Sequence, residues 1–248
     1  MKKSTKDHII TFAMVIVVYI IVQTMITTGN MSSLMQGLLV PMCTYSIVAI
    51  GLNLCVGYLG ELSIGHAGFM CIGAFTSAAF TKATMDTFTN AGLRFFVALI
   101  IGAVCAGIFG FLIGIPVLRL KGDYLAIVTL AFGGIIKNII NVLYVGIDSN
   151  GIHFSMKDQM SLGMEPGGKM IISGAMGITG TPRQSTFTIG VILILVTLFV
   201  VLNLINSRDG RAIMAIRDNR IAAESVGINI TKFKLMAFTI SAAIAGAG

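Results

Sequence analysis

Long apolar stretches separated by short polar ones run through the whole chain. Seven of them are long enough to predict membrane-spanning helices, because a span needs roughly 20 mostly apolar residues. They cover residues 9–26, 34–56, 62–80, 95–117, 124–143, 187–204 and 235 onward. The third is the weakest, since it is rich in Gly, Ala, Ser and Thr. We expect it to form a short or re-entrant helix buried against its neighbours, because broken backbone at membrane depth is tolerated only inside protein.

The composition agrees with a membrane protein. The chain is 56% hydrophobic and only 11% charged, which is too little charge to cover the surface of a soluble domain of this length. Its four cysteines lie inside apolar segments without a CxxC pair, so we interpret Cys43, Cys55, Cys71 and Cys105 as small core residues. The sequence therefore predicts an all-α, polytopic membrane helix bundle with one transmembrane domain, residues 1–248.

The distribution of Lys and Arg predicts the orientation of this bundle. When the seven segments alternate, most Lys and Arg residues fall on the side of the N-terminus. Cytoplasmic loops carry an excess of these residues, so the N-terminus and the loop at 206–232 are predicted to be cytoplasmic. The loop at 146–184 is then extracytoplasmic. The assignment reverses for the later spans if the third segment does not cross.

The fourth segment carries a ridge of small residues. They recur every four positions and so share one helix face: Ala98, Gly102, Ala106, Gly110 and Gly114. Such a face lets another helix approach closely in lipid, so we expect tight packing there, within the chain or against a partner. Pro41 interrupts the second segment and predicts a kink.

The loop at 146–184 contains a look-alike of a phosphate-binding P-loop. Gly163, Gly168 and Lys169 give the spacing G-x-x-x-x-G-K, but Met170 stands where the motif has the Ser or Thr that binds magnesium. No strand-then-helix pattern surrounds it. We therefore predict a turn-rich loop that binds no nucleotide.

Residues 206–232, after the sixth segment, are basic and amphipathic. Ile213, Ile216, Ala223 and Val226 share one face of a predicted helix. Physical chemistry alone also allows an interfacial helix here that touches anionic lipid headgroups.

Three stretches together resemble a known family. GRAIMAIRDNRIAAESVGINITKFKLMAF resembles the cytoplasmic loop of the permease subunits of branched-chain amino-acid ABC importers. GLNLCVGYLGELSIGHAGFMCIGAF and RLKGDYLAIVTLAFG are similar to two further signatures of that family, and all three occur in the family's order. The resemblance covers the chain from about residue 34 and is to the M-type of two related permeases. It implies the helical fold of ABC importer permeases.

The resemblance implies that residues 206–232 couple the chain to an ATPase. Ala222, Ala223 and Gly227 match the A-A-x-x-x-G part of the ABC permease motif, whereas Ile221 stands where the motif has a glutamate. This segment would dock on a cytoplasmic ATPase subunit and transmit its closure to the spans, with Gly227 ending the helix at the C′ position. Further candidates for docking contacts are Arg211, Arg217, Asp218 and Glu224.

The resemblance also implies partners and function. The partners are cytoplasmic ABC ATPase subunits, a second homologous permease subunit and an extracytoplasmic solute-binding protein, with membrane lipid around the spans and no nucleic acid. The implied function is the uptake of branched-chain or related amino acids across a bacterial inner membrane. This chain would not itself be an enzyme and would hold no cofactor, because the partner subunit uses the ATP.

Polar side chains inside the spans are the candidates for a translocation path. They are Asn53, Tyr58, Ser63, His66, Thr129 and Asn138, together with Thr76 and Asn141. Each alone is also typical of an ordinary hydrogen bond between helices. No second His or carboxylate stands at ligand spacing beside His66, so no metal site is predicted. We expect GYLGELSIGHAGF, residues 57–69, to form a cytoplasm-side hinge in which Glu61 reaches water and His66 turns into the bundle.

Three alternatives and one further expectation accompany this reading. Permeases for urea and other amides are closely similar, and an ion-coupled carrier would transport without any ATPase. An intramembrane enzyme would use Ser63 with His66, but Glu61, the only nearby acid, would point elsewhere on a helix. The sequence stops inside an apolar run, SAAIAGAG, so we expect further spans beyond Gly248.

Overall fold

A computed structural model describes residues 3–85, 90–120, 123–148, 151–158, 160–163, 168–182 and 184–248. Within these ranges the α-helices are α1 (Lys3–Thr27), α2 (Ser33–Asn53), α3 (His66–Ala83), α4 (Ala91–Val117), α5 (Asp123–Val142), α6 (Phe187–Asn206), α7 (Arg208–Asp218), α8 (Arg220–Ser225) and α9 (Ile230–Ala247). The strands are β1 (Tyr144–Asp148), β2 (Gly151–Ser155) and β3 (Lys169–Ser173). A π-helix, Leu54–Leu59, extends α2, and short 3-10 turns lie at Met160–Leu162 and Gly174–Met176.

Six helices of the described chain are long and apolar enough to span a membrane, rather than seven. They are α1, α2 with its π-helix, α4, α5, α6 and α9. The all-α membrane bundle is therefore confirmed, and the third apolar segment, predicted to be the weakest, is the one whose helix is not among those apolar enough to span. Its helix, α3, begins only at His66, and Gly, Ala, Ser and Thr replace many of the long aliphatic side chains that favour lipid.

The third segment starts as non-helical chain inside the bundle. Residues 60–65 lie outside any helix and run alongside α9. Glu61 pairs with Lys234, close to the start of α9, whereas His66 bonds to Ser241, about two helical turns further along.

From this midpoint α3 continues to the opposite end of the bundle. There Lys82 Nζ donates a hydrogen bond to the carbonyl oxygen of Thr179, 2.9 Å away, in the loop that follows β3. We call this end the sheet end and the other the α7 end. The segment thus passes from one end to the other as a non-helical stretch followed by the 18-residue helix α3, and the direction of the later spans keeps the predicted alternation.

The small-residue ridge of α4 packs inside the chain, and all five of its members are buried. A Cβ atom on Gly110 would lie 2.4 Å from Cβ of Ala242 in α9, and one on Gly102 would lie 2.9 Å from the backbone oxygen of Gly73 in α3. Contacts this short leave no room for larger side chains. The predicted close packing is confirmed, and α3, α4 and α9 form the centre of the bundle.

The second span is irregular at its end. Helix α2 continues through Pro41 to Asn53. The π-helix then begins, and it stops at Gly60, whose φ of +76° is a left-handed conformation that favours glycine. A π-helical turn is a common local distortion near functional sites.

The sheet end carries structure where a turn-rich loop was predicted. Strand β1 pairs antiparallel with β2 and with β3, in the order β2-β1-β3. Val145, Ile171 and Ile172 are buried in it and pack against Phe75 and Ala79 of α3. The prediction was wrong because these strands are short and their apolar residues are separated by glycine-rich turns.

The P-loop look-alike has no P-loop geometry where the structure describes it. Lys169 and Met170 begin β3 instead of opening a helix, which is what a phosphate-binding loop requires. Residues 164–167 of the motif lie outside the described residues.

Helix α1 lies at the edge of the bundle, and its span is unburied within the chain. It contacts α6 through Tyr19, whose ring stacks on Phe187 at a centroid distance of 5.7 Å. The Tyr19 hydroxyl also lies 3.3 Å from Oγ1 of Thr188.

Substitution of Gly73 tests the central packing. A Cβ there would lie 2.3 Å from the backbone oxygen of Gly246 in α9, whereas a Cβ on Gly134 in α5 would meet nothing within 4 Å. We expect Gly73→Ala to lower the free energy of unfolding by about 1–3 kcal/mol, because overpacking forces backbone shifts. Gly134→Ala is the matched control and should change it little. Equal values from detergent unfolding titrations of the two variants would contradict this packing.

Candidate functional site

The segment between the sixth and last spans folds as two short helices instead of one. Ser207 caps α7, its Oγ accepting a hydrogen bond from the N–H of Gly210 at 3.1 Å. Helix α7 ends at Asn219, whose extended backbone breaks the predicted helix. The Asn219 side chain then caps α8 by accepting from the N–H of Ala222 at 3.0 Å.

Gly227 ends α8 as predicted, at the C′ position. Its φ is +85°, and its N–H donates to the carbonyl oxygen of Glu224 at 3.0 Å. The N–H of Ile228 donates to the carbonyl oxygen of Ala223 at 3.1 Å. Together these two bonds form a Schellman motif, which satisfies the last carbonyls of a helix.

The apolar face of α7 and α8 is turned toward the bundle. Ile213, Ile216 and Ala223 are buried and pack near residues of α9 and the π-helix. Val226 was predicted on the same face, and this is wrong, because its side chain is 75% exposed. The break at Asn219 and the end of α8 take it out of phase with the other three.

Most predicted docking residues face outward. Arg211, Asp218, Ala222 and Glu224 are exposed. The Arg211 guanidinium donates to the carbonyl oxygen of Asn206 at 3.1 Å, and its surface remains open. These side chains form the outer face of α7 and α8.

Arg217 differs from the other docking candidates because it reaches inward. Its Nη1 donates to the carbonyl oxygen of Gly57, in the π-helix, at 2.7 Å. Its Nε and Nη2 donate to Asp218 Oδ1 at 3.2 and 3.0 Å. Arg217 therefore joins α7 to the stretch that precedes the non-helical segment.

Glu61 pairs with Lys234 of α9 and also lines an open pocket at the α7 end. The two side chains are 16% and 6% exposed. A buried charge is costly unless it is paired, so the two residues neutralise each other. The sequence did not show this pairing because the partner comes from a distant helix.

The middle of the non-helical segment is fixed to α5. The N–H of Ile64 donates to Thr129 Oγ1 at 3.2 Å, and that hydroxyl donates to the carbonyl oxygen of Ala126 at 2.9 Å. A Cβ on Gly65 would lie 2.2 Å from the backbone oxygen of Thr129, so only glycine fits there. Thr129, predicted as a path residue, holds the backbone in place.

His66 stands at the centre of a buried hydrogen-bond chain. Ser63 Oγ lies 3.0 Å from its Nδ1, and Ser241 Oγ lies 2.5 Å from its Nε2. Ser241 donates its single hydroxyl hydrogen to the carbonyl oxygen of Gly51, so it accepts from His66 Nε2–H. His66 Nδ1 then accepts from Ser63, and the chain of bonds links α2, α3 and α9.

A groove of about 630 Å³ lies beside this chain of bonds, between α2 and α3. Asn53, Ser63 and His66 line one part of it. The remaining lining is mostly apolar: Tyr45, Val48, Ala49, Leu52, Val56, Leu62, Ile64, Ala67 and Met70. Three predicted path residues therefore meet at one groove.

The other predicted path residues lie elsewhere. Tyr58 is half-buried in the π-helix, and Asn138 and Asn141 are exposed on α5. Thr76 Oγ1 bonds to the carbonyl oxygen of Gly73 in its own helix at 3.2 Å. Hydropathy identified these residues as polar groups in spans but gave no information about which face each one occupies.

Sequence reasoning missed two residues of this site. Lys234 was counted only as a positive charge near a span, and Ser241 was one small residue in an Ala-rich helix. Their partners Glu61 and His66 lie 173 and 175 residues away. No local pattern could have joined them.

The site lacks the arrangement that a serine hydrolase needs. Ser63 and His66 are in contact, but the other imidazole nitrogen faces Ser241 instead of a carboxylate, and Glu61 is held by Lys234. Among the described residues, no group of three or more His, Cys, Asp or Glu side chains is placed to hold a metal ion.

Comparisons with known proteins agree on one family. Residues 34–248 match the family described as the permease component of the branched-chain amino acid transport system. Two similar proteins are the high-affinity branched-chain amino acid transport system permease proteins LivM of Salmonella typhimurium (strain LT2) and Escherichia coli (strain K12). The chain is 37% identical to the first over 211 residues and 38% identical to the second over 212 residues.

These matches are partial with respect to the relatives. Each covers 82% of this chain and 48% of the relative, so the chain spans about half the length of the curated relatives it matches. No solved structure gives a significant match.

Replacing Ser241 tests the buried hydrogen-bond chain. Ser241→Ala leaves His66 Nε2–H and the Gly51 carbonyl without this partner, so we expect the free energy of unfolding to fall by about 1–3 kcal/mol. Ser46→Ala is a matched control, because Ser46 is exposed and bonds within its own helix, to Met42. Its effect should stay within about 0.5 kcal/mol. A loss no larger for Ser241→Ala than for Ser46→Ala, in the same detergent titration, would argue against the network.

Proposed function

We propose that this chain, which belongs to the branched-chain amino acid transport permease family, forms the membrane-spanning part of an ATP-driven importer subunit. The family match includes the groove and both short helices, α7 and α8. By analogy with the relatives' names, the solute is a branched-chain or related amino acid. Hydrolysis of ATP belongs to a separate cytoplasmic subunit.

The observation that carries this proposal is the construction of α7 and α8. Their apolar side is anchored by Ile213, Ile216 and Ala223, and the caps at both ends fix their length. The outer face offers Arg211, Ala222 and Glu224. A short, firmly anchored element with a polar outer face is what docking on an ATPase subunit requires, since motion must pass through it without being absorbed.

The proposed orientation follows from the position of these helices. The α7 end, with the N-terminus, is cytoplasmic, and the sheet end faces outward in the bacterial inner membrane. Basic residues of α7, α8 and early α9 then lie on the cytoplasmic side, as the positive-inside rule expects. They are Arg208, Arg211, Arg217, Arg220, Lys232 and Lys234.

The groove between α2 and α3 is the proposed half of the translocation path. Asn53 is exposed there and offers its amide to the ammonium or carboxylate group of an amino acid, and the apolar lining suits an aliphatic side chain. A second permease subunit would cover the open side. On the opposite face of the membrane, the sheet exposes Ile152 and Phe154, which offer apolar contacts to a solute-binding protein.

Uptake by reconstituted protein tests this function. The transporter assembled from this subunit, its paired permease, the ATPase and the binding protein is placed in liposomes with ATP inside or outside. We expect ATP-dependent accumulation of leucine and none with the ATPase left out. Urea is measured in parallel as the competing solute.

Two outcomes would contradict the proposal. Accumulation of leucine without the ATPase would indicate an ion-coupled carrier. ATP-dependent accumulation of urea in preference to leucine would keep the ATP-driven permease and overturn the proposed solute.

A further inference from the structure

Residues 57–61, which we call the junction, lie between α7 and α9 and are held by a cation from each side. Arg217 of α7 donates to the carbonyl oxygen of Gly57 at 2.7 Å. Lys234 of α9 pairs with Glu61. The two cations thus bind the two ends of this five-residue stretch, Arg217 at Gly57 and Lys234 at Glu61.

The chemistry of the Arg217 contact is specific. The last carbonyl groups of a helix lack partners within the helix, and a cation is favoured at that end by the helix dipole. Asp218 Oδ1 accepts from both Nε and Nη2 of Arg217, which orients the guanidinium so that Nη1 is directed at Gly57. Its aliphatic part crosses Gly60, where a Cβ would lie 2.7 Å from Cγ of Arg217.

The junction connects the two walls of the groove. On one side of the junction, Asn53 stands just before the π-helix, and on the other side Ser63 lies in the non-helical segment. Both residues line the groove. Between the junction and Ser63 there is no helix to absorb a displacement. Any shift of α7 that moves Gly57 therefore acts on both walls.

We propose that Arg217 is a positioning residue that carries movement of α7 to the groove through the junction, with Lys234 as the fixed support on the other side. The proposal rests on the proposed function, in which α7 and α8 dock on an ATPase. It assigns the Arg217 guanidinium to a contact within the permease, at Gly57, although 42% of the side chain is exposed. Arg211, on the exposed face of the same helix, keeps the docking role.

The positioning role of Arg217 and the docking role of Arg211 predict opposite results in the assembled transporter. For Arg217→Ala we expect normal co-purification with the ATPase subunit and continued ATP hydrolysis, but uptake per ATP hydrolysed reduced about fivefold or more, the scale of ordinary coupling between sites. Arg217→Lys retains one donor for Gly57 and should restore part of the ratio. Arg211→Ala should weaken co-purification instead.

Loss of co-purification in Arg217→Ala, with Arg211→Ala unaffected, would overturn the proposal, because Arg217 would then be a docking contact. A wild-type ratio of uptake to hydrolysis in Arg217→Ala would overturn it as well. If the wild-type transporter shows no ATP-dependent uptake of any solute, the proposed function fails. The role of Arg217 is then decided by the distance between two spin labels in the groove.

Spin labels at Tyr45 and Leu62, both exposed in the groove, report its width in the purified subunit. In a background without native cysteines, we expect Arg217→Ala to broaden the distribution of distances between the labels and Arg217→Lys to narrow it again. An unchanged distribution in Arg217→Ala would overturn the role of Arg217 independently of transport.

Discussion

Residues 60–65 are non-helical chain inside the bundle, and this dictates how they are surrounded. Each polar backbone group that lacks a partner there would cost several kcal/mol. The N–H of Glu61 finds the carbonyl oxygen of Cys55 at 3.1 Å, and the N–H of Ile64 finds Thr129 Oγ1 at 3.2 Å. The end of α2 and the first half of α5 therefore supply partners for the backbone of this segment.

The polar side chains of this region mainly join parts of the bundle to each other. Glu61 and Lys234 are both mostly buried, and either charge alone would be strongly unfavourable, so each accounts for the other. Ser63 and Ser241 likewise occupy both ring nitrogens of His66. Of the three polar residues that line the groove, Asn53 is exposed, whereas Ser63 and His66 are buried. This division explains why polar residues inside spans are a poor guide, one by one, to a translocation path.

The sequence predicts those features that depend on local pattern. Six of the seven predicted apolar segments are spanning helices, the four-residue repeat reveals the α4 ridge, and glycine reveals the end of α8. Contacts between distant residues escape it, because the pairing of Glu61 with Lys234 depends on how two helices are shifted along each other, which hydropathy does not encode. The break at Asn219 was hidden for another reason. Ile213, Ile216 and Ala223 keep a helical phase across it, although Asn219 is a residue type that commonly caps helices.

Helix α1 stands apart from the family match, which begins at residue 34, and it meets the bundle through α6. Tyr19 and its partner Thr188 are separated by 169 residues. At about 5–20 residues per second of synthesis, α1 is complete roughly ten to thirty seconds before its neighbour exists. A helix is stable in lipid during this interval because all its backbone hydrogen bonds are internal. Helix α1 thus reaches its place in the bundle only after α6 has been made.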